Sequence, residues 1–246
     1  MIERTNPSLK ANLYARFAGI PLDPAGTMTI EGTIAKTAMM MLLALASGAF
    51  NWYYCSHVNP GVGLAASVIS MFVGLGVSFW VVFKPDQAAI GAPIYAVVEG
   101  VVLGGISALY NARYAGIVQT AIPLTLCIAM GMLLLYRTGV IKASPLFVKT
   151  IVLMTLGACL FGFLNFICYM VTGATAFVPG DTLSIAISLF ICGIAALNFI
   201  IDFEFVAQGP AAGAPKYMEW YGAFALCVTL FWLYFQILRL LRLMRR

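Results

Sequence analysis

Charge is what this chain has least of. Only 9% of its 246 residues are Asp, Glu, Lys or Arg, against about a quarter in an average soluble domain. That scarcity excludes an ordinary soluble fold of this length. Histidine is nearly absent: His57 is the single one, in a loop between apolar runs with no second ligand nearby, which points to a surface position. The cysteines form no CxxC pair, zinc spacing or disulfide framework. Cys127, Cys159, Cys168, Cys192 and Cys227 stand inside apolar runs, where thiols act as small apolar packers. An HExxH pair, a Walker A loop and a GxSxG elbow are also missing. No apolar run has a lysine placed to hold a retinal. Enzyme classes therefore have no constellation to rest on, and the reading is of a non-enzyme without a cofactor. The first 30 residues hold Arg4, Lys10 and Arg16 but no compact apolar core followed by a small-residue cleavage site, so the first long apolar run is expected to be retained.

What the chain has in abundance is apolar sequence. It is 62% hydrophobic, with a mean hydropathy of +0.97. A helical span needs about 20 apolar residues. Seven runs qualify, roughly 33–54, 61–83, 89–110, 115–136, 147–172, 183–205 and 220–240. The expected fold is an all-α integral membrane protein: a cytoplasmic arm over residues 1–30 and a seven-helix domain over 31–246. Leu13, Tyr14, Phe17 and Ile20 could lay the arm on the membrane surface. The third run, with Pro93 and Glu99, and the fourth, reached after only Asn111–Tyr114, are the least regular. Small residues mark helix seams at Gly100 and Gly104, at Gly61, Gly63, Gly74 and Gly76, and at Gly157 and Gly162.

Lys and Arg counts set the orientation. With the N-terminus inside, nine fall in inside segments and only Arg113 in an outside loop. The tail runs against this bias, because seven spans place Arg239, Arg242, Arg245 and Arg246 outside. Either the tail is tolerated because it comes last, or one span is re-entrant. The net charge of +5 suggests anionic lipid headgroups rather than nucleic acid, since the basic residues flank spans.

Carboxylates within spans are expensive and have few uses. Glu99 lies near the middle of the third run, about 15 Å from either surface. It is either a neutral hydrogen-bonding group or a proton or cation site. Asn198 and Asp202 are four residues apart and share a face of the sixth run. Together they offer oxygen ligands of the kind hard cations such as Ca²⁺ prefer, and Asp202 could instead pair with Lys216 or another basic residue. Glu219 opens the last run, where it complements the helix dipole or joins Asp202 in an acid cluster. Glu204 is expected to be solvated, as are the loop acids Asp86 and Asp181. Asn165, Gln119, Thr229 and Gln236 are expected to bond between helices.

The run ALNFIIDFEFVAQG, followed by GAPKYMEWYGAFALCVTLFWLYFQILRLL, resembles the bacterial side of the Bax-inhibitor/YccA-like family. APIYAVVEGVVLGGISALY and AGIVQTAIPLTLCIAMGMLLLYRTGVI are similar too, so the resemblance covers about residues 30 to 243. It implies seven spans with six arranged around the last, in the bacterial inner membrane. It also implies a pH-sensitive cation leak, mainly for Ca²⁺, or in other members association with membrane proteases and stress survival. Leak-type members place a proton-sharing aspartate on each of the last two spans. Asp202 matches the first, while the second position is Thr229, which cannot ionise. A basic partner that those members carry on an early span has no clear match. The expected ion-pathway residues are thus Asp202, Glu99, Glu219, Asn198 and Thr229, with Asp202 the Ca²⁺ contact. The alternative is a non-conducting regulator that docks on a membrane protease through the arm and residues 208–216. Oligomeric state is left open.

Overall fold

The computed structural model describes residues 26–173 and 180–245. The amphipathic reading of Leu13 to Ile20 falls outside them. Seven helices carry the described chain: α1 Ile30–His57, α2 Pro60–Phe83, α3 Ala88–Arg113, α4 Ile117–Arg137, α5 Pro145–Thr172, α6 Thr182–Ala211 and α7 Met218–Met244. Each is long and apolar enough to cross a bilayer. Even α4, with 21 residues, reaches about 32 Å at 1.5 Å per residue. The protein is an all-α membrane protein with seven spans. Pro93 sits inside α3 and Pro123 inside α4 without ending either helix.

Helix starts follow local chemistry. Asn59 caps α2 by accepting from Val62 N at 3.2 Å, with Pro60 next. Ser144 caps α5 in the same way, with Pro145 next. Proline fits there because the first helical N–H has no intrahelical partner. Asp181 is exposed, as expected, and accepts from Ser184 N at 2.9 Å and Ser184 Oγ at 2.8 Å. These bonds hold its carboxyl below the usual aspartate range. Gly213, at φ 67°, takes the left-handed turn after α6.

The chain divides into two compact units, Met1–Leu109 with Asp202–Val228, and Tyr110–Ile201 with Thr229–Arg246. In the first unit, α1 and α3 meet backbone to backbone. A Cβ on Gly104 would collide with Gly48 O and come within 2.9 Å of Gly48 Cα, and one on Gly100 would strike Ala44. This is the expected glycine seam, and its partner is the Ala44–Gly48 stretch of α1. Beside it Asn51 Nδ2 donates to Ser67 Oγ at 2.9 Å and Val101 O at 2.8 Å. One buried amide thus joins α1, α2 and α3, a node the apolar pattern did not announce.

The second unit is packed differently. Ile151 is the buried residue of α5, whose sides are otherwise largely exposed. Among the described residues no atom lies within 4 Å of where a Cβ would stand on Gly157 or Gly162, so the seam expected there is unused by them, as it is at Gly76. Asn198 Nδ2 ties α6 to α5 through Thr155 Oγ1 at 2.9 Å. Arg245 Nη1 reaches Ala115 O at 2.7 Å, and the Arg242 guanidinium lies 5.9 Å over the Tyr110 ring. Arg242 and Arg245 therefore sit at the α3–α4 turn, as seven full spans require.

Candidate functional site

The most developed polar site lies in the first unit, where α1 and α7 begin. Residues 26–28 run antiparallel to the α6–α7 connection. Met28 N donates to Ala214 O at 2.7 Å, Lys216 N donates to Gly26 O at 2.8 Å, and Thr27 bridges Pro215. Met28, Val206, Ala214 and Met218 close into a small apolar core beneath this strap. Met28 fills it because a thioether chain adapts to irregular space.

Thr29 then caps α1, its Oγ1 accepting from Gly32 N at 3.0 Å. The same hydroxyl donates to Glu219 Oε1 at 2.8 Å, and Thr29 N donates to that oxygen at 2.9 Å. The other carboxylate oxygen, Oε2, pairs with Lys36 Nζ. Glu219 is only 1% exposed. The Lys36 ammonium also stands 5.4 Å over the Trp220 ring, a second source of stabilisation for the cation. Gly32 is required by closeness, since a Cβ there would collide with the Glu219 carboxylate. The carboxylate half of the pair is desolvated while Lys36 is 19% exposed, so loss of the lysine would strand a buried charge. Removing one partner from a buried pair typically costs about 3–5 kcal/mol.

Glu99, Asp202 and Glu219 all belong to the first unit, whereas Asn198 and Thr229 belong to the second. Glu219 opens α7 as expected but is committed to Lys36 and Thr29. Glu99 is half-buried at the middle of α3, and its Oε2 would lie 3.2 Å from a Cβ on Gly74 of α2. Its carboxylate accepts no hydrogen bond among the described residues. One turn earlier, Tyr95 packs edge-on against Phe224 of α7, with centroids 4.9 Å apart. Asp202 is half-buried near the end of α6. Glu204, expected to be solvated, is half-buried and accepts from Gln208 Nε2. The Asn198 amide nitrogen is occupied by Thr155 and by Ile194 O at 2.8 Å. Thr229 is buried, 7% exposed. Gln236 accepts from Arg239 of its own helix rather than from a neighbouring one. Among the described residues no three His, Cys, Asp or Glu side chains gather as a metal site.

Sequence reasoning missed Lys36, Thr29 and Gly32. It counted Lys36 only as an orientation charge. The available signal was a lysine inside an apolar run, which needs an acid or an interface within reach.

Fold and site define a multi-pass helical membrane protein whose first and last spans are joined by a part-buried acid–base pair. The Bax inhibitor 1 like family model matches residues 3–246, essentially the whole chain. The chain belongs to that family. No curated protein and no solved structure matches it.

Proposed function

We propose that the protein is a slow, pH-sensitive cation leak, passing Ca²⁺ or protons, whose closed state is held by the Lys36–Glu219 pair. The observation that carries this reading is that pair, its carboxylate buried and its lysine part-buried, joining the starts of α1 and α7. It supplies a basic partner on an early span, matched to Glu219 rather than to Asp202. Acidification protonates Glu219 and removes the charge that holds Lys36, so the leak rises as pH falls. Glu99 and Asp202 are the pathway acids, with Asp202 the Ca²⁺ contact. Ca²⁺ is cargo here and not a resident cofactor. The nine-to-one bias of basic residues supports a cytoplasmic N-terminus in a bacterial inner membrane. In liposomes loaded with a Ca²⁺ dye, Asp202→Asn and Glu99→Gln should each alter the leak and its pH response. A wild-type leak no greater than that of empty liposomes would sink the proposal.

A second reading, a non-conducting regulator of a membrane protease, is favoured by the bare sides of α5. It loses support at the end of residues 208–216, because the backbone of residues 214–216 is engaged by residues 26–28. Crosslinking in native membranes should then recover a stoichiometric partner through α5. Capture through residues 208–216 instead would reverse that assignment.

A further inference from the structure

The second unit is short of anions. Its described residues hold seven lysines and arginines against one acid, Asp181, and Asp181 is turned onto Ser184. Two of these cations, Arg239 and Arg242, are three residues apart on α7 and so share one side of it, and Arg245 follows directly after the helix end. Arg239 and Arg242 are close enough to repel each other, and both are half-buried. Arg239 also donates through Nη2 to Gln236 Oε1.

Two further observations mark the place as polar and incompletely satisfied. Arg242 has its Nε buried without a hydrogen-bond acceptor, while its guanidinium plane rests over Tyr110. Ser188 Oγ is likewise buried without a partner. Ser188 stands one turn before Cys192 on α6, and Cys192 is within electrostatic reach of Arg239. The C-terminal dipole of α7 adds only about half a negative charge beside Arg242. Depth fixes the class of anion. Arg239 is five residues before the end of α7, about 7.5 Å along the axis, and Arg242 about 3 Å. That is headgroup level rather than mid-bilayer. Arginine's planar fork suits phosphate oxygens.

We infer that Arg239 and Arg242, with Arg245 at the rim, form a binding site for the phosphate of an anionic phospholipid headgroup. The test uses the full chain in nanodiscs of phosphatidylcholine with or without phosphatidylglycerol, followed by native mass spectrometry of retained lipid. Wild type should retain phosphatidylglycerol in preference to phosphatidylcholine. Arg239→Gln/Arg242→Gln should lower that preference roughly tenfold or more. Lys142→Gln/Lys149→Gln, in the α4–α5 connection and near the start of α5, should leave it unchanged. If the double glutamine variant does not fold, Arg242→Lys serves instead. It keeps the charge, loses the fork, and should lower the preference part-way. Inorganic phosphate should not displace the bound lipid at millimolar concentration. Absence of a preference in wild type would overturn the site, as would one unchanged in the arginine variants. Full displacement by inorganic phosphate would overturn its assignment to a lipid.

Discussion

The two units divide the chemistry of the chain unequally. Among the described residues the first holds six acids and three lysines, while the second holds one acid and seven lysines and arginines. The first closes α1 on α3 through glycine and binds its Glu219 tightly; the second leaves α5 almost bare. A membrane protein has little hydrophobic drive between its helices, so contact must come from close backbones and paired polar groups. The first unit uses both. The second relies on single bonds such as Asn198 to Thr155 and keeps its cations near a helix end. The contrast therefore lies in the paired polar groups, which the first unit concentrates, and not in apolar exposure, which α2 of the first unit shares with α5 of the second.

The sharpest way to break the contrast is steric. Gly104→Leu should separate α1 from α3 and abolish a monodisperse, heat-stable protein in detergent. Gly157→Leu, with open space around it, should leave the melting temperature unchanged. Equal losses would erase the difference between the units. Next in size is the ion pair. Lys36→Met alone should destabilise by about 3–5 kcal/mol, and Lys36→Met/Glu219→Leu should recover much of that, because the stranded charge is gone. Thermal melts of the single and double variants decide it. Gly32→Ala should act on the same pair without changing any charge, by pushing the Glu219 carboxylate off Thr29 and Lys36. A melt intermediate between wild type and Lys36→Met is expected. The smallest effect belongs to the second unit. Asn198→Leu should cost about 0.6 kcal/mol, the usual worth of one interhelical bond in a membrane.

Much of the fold was legible because a span is a local property. Each of the seven apolar runs became a helix, extended by caps such as Asn59, Ser144 and Asp181. The glycine seam at Gly100 and Gly104 could be read from its spacing, but the same reasoning failed at Gly157 and Gly162. Spacing says where a close approach is allowed, and only the neighbouring helix decides whether it occurs. The site was less legible. Glu219 stood out as an acid at a span mouth. Its partner Lys36 lies 183 residues away, and no periodicity connects residues that far apart. Gly32 looked like an ordinary small residue until the Glu219 carboxylate was seen against it.

The account rests on Glu219 acting as a latch, and flux against pH in proteoliposomes tests that most directly. Wild type should leak slowly at neutral pH and faster as the pH is lowered. Glu219→Gln should leak at the raised rate already at neutral pH and respond little to further acid. A Glu219→Gln variant that stays slow at neutral pH and still rises with acid would contradict the account.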